Sequence, residues 1–205
     1  MPGNELNPSY ICRQEIKYMN MDYIKAKQGI LFVISLIVTG ALFRFIPHWP
    51  NFTPIAAMAL FGGAYLGKKH LAFIIPFTAM FLSDLILGFH KDMWAVYIAF
   101  GITVSFGIII RRNVKFTSIV LASLASSVLF FLLTNFAAWL SSPIYPQSLA
   151  GLMESYIAGL AFFHNGAYGI SFFLNEVAGS LFYNGIFFGA FALAARWFPK
   201  LTMVS

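Results

Sequence analysis

Arg44, Asp84, Asn135, Asn175, Glu176 and Asn184 are ionisable or amide side chains embedded in long apolar stretches. Such groups are costly inside a membrane, usually face the interior of a helix bundle, and mark solute or ion paths. One guanidinium, two carboxylates and several amides suit reversible recognition of a polar solute. Covalent chemistry would need other constellations. No H-E-x-x-H, no G-x-S-x-G and no zinc-spaced histidine pair occurs, since His48, His70, His90 and His164 are scattered. No phosphate-cradling glycine loop occurs either, so ATP hydrolysis would have to come from a partner. The single cysteine, Cys12, allows neither an intrachain disulfide nor a cysteine metal cluster. The expectation is a binding protein that is not an enzyme and has no metal and no cofactor.

The elements that must position these groups are membrane helices. Of 205 residues, 60% are hydrophobic and 10% charged, against roughly 25% charged in soluble domains. A net charge of +6 does not indicate nucleic acid, because the basic residues cluster between apolar runs, where they set orientation. The predicted helices are Gly29 to Ile46, Pro54 to Gly67, Leu71 to Phe89, Met93 to Ile110, Phe116 to Leu140 and Ile170 to Phe198. This is an all-α integral membrane protein of about six transmembrane helices. It divides into a polar tail over 1–28, one transmembrane domain over 29–198 and a short tail over 199–205. The tail before Lys25 has no structural pattern, and Met19 or Met21 could be the true start. Eleven of the 13 Lys and Arg residues fall on one side, namely Arg13, Lys17, Lys25, Lys27, Lys68, Lys69, Arg111, Arg112, Lys115, Arg196 and Lys200. Only Arg44 and Lys91 fall on the other. Both termini are therefore expected in the cytoplasm, with the chain integral to the cytoplasmic (inner) membrane.

The second helix is short. Thr53-Pro54 reads as an N-cap and first turn, and the 14 residues from Pro54 to Gly67 would extend roughly 21 Å, short of a hydrocarbon core of about 30 Å. The segment from Pro47 to Thr53 would then enter the membrane as non-helical chain, which is tolerated only against protein or a wet cavity. The alternative is a helix that thins the bilayer or starts earlier. Ser141 to Gly169 is an external connection without Lys or Arg. Within it Leu149, Leu152, Met153, Tyr156, Ile157 and Leu160 recur at helical spacing, so an amphipathic helix is expected on the surface or over the bundle.

On this orientation Arg44, Asp84, Asn135, Asn175 and Glu176 share one depth in the external half, with Trp49, Trp94 and Trp139 near the same level. That arrangement suits a small-molecule pocket in a helical bundle. The substrate-binding set is Arg44, Asn51, Thr53, Asp84, Trp94, Thr134, Asn135, Trp139, Asn175 and Glu176, with 47–53 and 141–169 as lids. Each residue also has a plainer reading. Arg44 could reach the headgroups or pair with Asp84, the asparagines could join helices, and the tryptophans could form an interfacial belt. Ala59, Gly63 and Gly67 form a small-residue face suited to close helix packing within the bundle or to docking another membrane subunit.

The stretch Phe131-Leu-Leu-Thr134-Asn135-Phe-Ala-Ala-Trp139, with the short second helix and the external loop, resembles the membrane-embedded S components of energy-coupling factor vitamin transporters. Pro47-His48-Trp49-Pro50-Asn51-Phe52-Thr53-Pro54 and Phe61-Gly62-Gly63-Ala64-Tyr65 more closely resemble an uncharacterised bacterial membrane family of that fold. The resemblance covers roughly Gly29 to Phe198. It implies uptake of a small vitamin-like solute together with a transmembrane coupling subunit and ATPase subunits. It also implies a carboxylate near Ser180, where this chain has Gly179-Ser180-Leu181 with Glu176 one turn earlier. The rival expectations are a stand-alone carrier in which Asp84 or Glu176 takes up a proton, and a scaffold in which Arg44 and Asp84 are structural.

Overall fold

The computed structural model describes residues 27–161 and 171–197. Residues 1–26, 162–170 (with His164) and 198–205 lie outside the described residues. The described chain is all α, with seven helices: α1 (Lys27–Phe43), α2 (Ile55–Tyr65), α3 (Lys69–Leu87), α4 (Met93–Ile110), α5 (Phe116–Ser141), α6 (Leu149–Ala161) and α7 (Phe172–Trp197). A 3-10 turn at Arg111–Asn113 follows α4. Four helices are long and apolar enough to cross a membrane: α3, α4 with its 3-10 extension, α5 and α7. The protein has the character of an integral membrane protein. α1, α2 and α6 are shorter apolar helices.

The apolar runs became helices close to where the sequence places them. The ends shift by up to three residues, and two of the shifts lie beside prolines. α1 stops at Phe43 instead of Ile46, because Arg44, Phe45 and Ile46 bond back three residues to Ala41, Leu42 and Phe43 at 3.1–3.3 Å. Such bonds tighten a final turn, and Pro47 disfavours helical backbone at the residue before it. Arg44 is therefore carried by this turn and not by the helix. At the start of α2, Pro54 is the N-cap residue and no side chain caps the end. The Thr53 amide is turned to Asn51 O at 3.0 Å, and the first helical bond runs from Met58 N to Pro54 O at 2.9 Å. The expected Thr53 cap is thus replaced by a tight turn.

At 11 residues, α2 extends about 16 Å. Its buried residues run without a break from Ala56 to Ala64, as expected of a helix that is apolar all round. It forms the axis of the bundle, with α3, α4, α5 and α7 against it. Phe61 is fully buried, with the rings of Phe187, Phe188 and Phe191 of α7 at 5.2–5.9 Å. Opposite them, Gly63 and Gly107 of α4 meet backbone to backbone. A Cβ at Gly63 would stand 2.3 Å from Val104 O, and one at Gly107 would stand 2.3 Å from Leu60 O. The small-residue face of α2 is therefore filled from within the chain. Ala59 is fully buried, Gly63 packs on α4, and the Gly67 carbonyl accepts a bond from Arg111. Ala59 and Gly63, considered for partner docking, are thus packed within the chain, and Gly67 lies just beyond α2.

Segment 44–54 is non-helical, as the shortness of α2 requires, and it leans on α7. Gly179 admits it, since a Cβ there would lie 3.0 Å from Phe52 Cα and 3.1 Å from Thr53 N. Asn175 Nδ2 donates to Pro50 O at 3.0 Å, and Phe52 packs on Phe182 and Tyr183 at 5.6 Å. This non-helical chain is thus held against protein.

Candidate functional site

A cavity of about 560 Å³ lies among the ends of the helices on the side of Arg44 and Asp92, within the range of small-molecule sites. Five of the residues singled out from sequence line it: Arg44, Asn51, Thr53, Thr134 and Asn135. Segment 47–53 supplies Asn51 and Thr53, α5 supplies Thr134 and Asn135, and the turn after α1 supplies Arg44. Ile55, Met80, Met93, Val96, Phe130 and Phe172 give it apolar walls, and His90, Asp92 and Tyr145 also border it.

The local geometry decides what each polar group can still do. Arg44 is committed: one terminal nitrogen donates to Asp84 Oδ1 at 2.5 Å, and the other donates to Ser83 Oγ and to Met80 O. Asp84 is fully buried, and its second oxygen accepts from Tyr97 Oη at 2.7 Å. The pair is thus internally neutral and hydrogen-bonded on both sides, which is the condition under which buried charges are tolerated. Asp84 stands behind Arg44 and does not line the cavity.

Asn51 has φ 63°, the left-handed region that asparagine tolerates better than most residues. This turns its amide toward α7, where Nδ2 donates weakly to Phe172 O at 3.4 Å, and Oδ1 retains acceptor capacity. Thr134 gives its hydroxyl hydrogen to Phe130 O at 2.8 Å, and Asn135 Nδ2 bonds Phe131 O at 2.9 Å. Thr134 therefore keeps acceptor capacity, and Asn135 keeps Oδ1 and one N–H. The cavity offers a solute acceptors, an amide donor and apolar walls beside an already neutralised ion pair and the Asp92 carboxylate, which accepts from Ser141 Oγ.

The remaining sequence-derived residues lie elsewhere. Trp94 is 41% exposed on the outside of the bundle. Trp139 fastens the segment after α5, with Nε1 donating to Pro146 O at 2.9 Å and its own carbonyl accepting from Gln147 Nε2 at 2.8 Å. Neither tryptophan lines the cavity. Asn175 is spent on Pro50 O, and Glu176 is buried in a separate small void with Thr103 and Ser126. Asn184, the polar residue deeper in α7, donates to Ser123 Oγ of α5 at 2.9 Å and to Ser180 Oγ at 3.4 Å, so it joins α5 to α7. α6 lies along α5, held by Ser155 Oγ to Asn135 O at 3.1 Å and Tyr156 Oη to Leu132 O at 3.2 Å.

Sequence reasoning missed Ser83 and Tyr97, which complete the shell around the ion pair, and His90 and Asp92 at the rim. The signal for Tyr97 is its hydroxyl one turn into α4, at the depth of Asp84. His90 and Asp92 flank Lys91 in the short α3–α4 turn, where the sequence displays only their charge. Among the described residues no cluster of three metal-ligating side chains occurs.

With this geometry in hand, residues 24–201 match the model of DUF6580, a family of unknown function. The chain belongs to this family. No curated protein and no solved structure matches it. The family match carries no link to the S components of energy-coupling factor transporters.

Proposed function

We propose that the protein is a membrane-embedded binding subunit for uptake of a small, vitamin-like organic solute. In this reading six segments traverse the cytoplasmic membrane, with α2 completed on its external side by segment 44–54, and both termini are cytoplasmic. The observation that supports it is the 560 Å³ cavity, into which the turn after α1, segment 47–53 and α5 send five of the polar residues singled out from the sequence. The cation at the wall, Arg44, is already matched by Asp84 at 2.5 Å. An anionic solute would have to compete with that carboxylate. Hydrogen-bond donors on the solute would meet Asn51 Oδ1, the Thr134 hydroxyl and Thr53, and its apolar body would lie on Met80, Met93, Val96 and Phe130. Since no nucleotide-binding motif is present in the sequence, active uptake would draw on separate coupling and ATPase subunits.

Native mass spectrometry of gently solubilised protein tests the proposal. A discrete small-molecule adduct is expected on the wild type. It should be lost in Ala138→Phe, which fills the cavity from α5, and weakened in Asn51→Gly, which keeps the left-handed backbone but removes the amide. An adduct of unchanged abundance in both variants, or wild-type protein that binds nothing from a membrane or cytosol extract, would overturn it.

A further inference from the structure

The two carboxyl groups buried in the bundle, Asp84 at 0% and Glu176 at 3% exposure, are neutralised in different ways. Asp84 has Arg44. Among the described residues no ion pair joins Glu176 to a basic side chain, and the polar groups that share its void are the hydroxyls of Thr103 and Ser126. It borders a void of about 10 Å³, the lower limit for one water molecule. Ile55 of α2, Phe100 and Thr103 of α4, and Ser126 and Phe130 of α5 form its other walls, and no second titratable or charged side chain faces it from any of them. A lone carboxylate so enclosed would carry a desolvation cost far above that of a neutral acid.

The hydroxyls fix the remaining chemistry. Thr103 donates to Ala99 O at 2.9 Å and Ser126 donates to Ala122 O at 2.7 Å, so each has only lone pairs left to offer. A carboxylate among acceptors has no partner. A carboxylic acid with one water gives every donor an acceptor, because the acid O–H donates to the water and the two water hydrogens go to Thr103 and Ser126. Ile55 and Phe130 line both this void and the 560 Å³ cavity, so these two side chains are the partition between them.

We propose that Glu176, Thr103 and Ser126 form a proton-and-water site behind the main cavity, gated by Phe130 and Ile55. When the partition opens, the carboxyl O–H bond breaks, the proton passes to cavity water, and the carboxylate left behind is hydrated. Closure requires the reverse transfer. The site stands whether or not the main cavity takes a solute.

Labelling with N,N′-dicyclohexylcarbodiimide, which adds to protonated carboxyls and not to carboxylates, tests this on the full-length protein in detergent at neutral pH. Peptide mass spectrometry should find the adduct on Glu176 and not on Asp84, unchanged by replacing potassium with sodium. An infrared carbonyl band of un-ionised acid should be present in the wild type, lost in Glu176→Gln and retained in Asp84→Asn. Phe130→Ala should speed labelling several-fold. Protection by sodium would make this a cation site and overturn the proposal. So would a Glu176 that stays unlabelled and shows only carboxylate absorption, and labelling unchanged in Phe130→Ala would overturn the gate.

Discussion

Arg44 and Asp84 illustrate how a buried charge is stabilised by what surrounds it. The guanidinium reaches Asp84, Ser83 and Met80 O, and Tyr97 closes the far side of the carboxylate. Removing one partner strands the other, so Asp84→Asn is expected to cost about 3–5 kcal/mol of stability, read as a lowered thermal unfolding midpoint in detergent. The Arg44→Gln and Asp84→Asn double variant should lose clearly less than the sum of the two single variants, whereas additive losses would show that the pair does not interact. Tyr97→Phe removes one bond to a charged group and should cost about 1.5–3 kcal/mol. That Arg44 and Asp84 could meet was legible in the sequence, because both lie at one depth on apolar segments. Their commitment to each other was not, since it depends on how α3 is rotated toward the turn after α1. The rotation of α4 turned Trp94 outward, and that of α7 against α5 hid Glu176 behind Phe130.

At the scale of elements, α2 depends on its neighbours at both ends. Its last carbonyls would be left without partners, and Arg111 from the end of α4 supplies them. Arg111 donates to Gly63 O through Nη2 at 2.8 Å, to Leu66 O at 2.7 Å, and also to Gly67 O. Arg111→Ala should destabilise the fold by about 2 kcal/mol or more, and Arg111→Lys should recover little, because a point charge cannot span the fan of carbonyls. Thermal unfolding of the two variants side by side checks this. Gly63→Leu should be more damaging, since its Cβ would meet α4 backbone that has no side chain to move aside. Equal stability of Gly63→Leu and wild type would contradict the α2–α4 contact. The helix bounds were legible because the apolar runs are long and their breaks are sharp. The cap was not, because Arg111 stands in the sequence only as one of a cluster of basic residues marking a membrane side. The small-residue face of α2 was equally visible, but which helix fills it is set by Gly107, 44 positions away.

At the scale of the whole molecule, the four long apolar helices place the protein in a membrane, and the proposed orientation rests on the distribution of Lys and Arg. In a Cys12→Ser background, a cysteine replacing Lys91 should react with an impermeant maleimide from outside the cell, and one replacing Arg112 only from inside. The reverse pattern would invert the topology. The same background allows the most direct test of the claim that the cavity receives a solute from outside. A single thiol introduced by Thr134→Cys, one turn inside the cavity, should be modified by a small impermeant maleimide in right-side-out vesicles, and a medium extract containing the solute should slow the modification. A thiol at this position that reacts only in inside-out vesicles, or whose rate no extract changes, would contradict an outward-facing solute site.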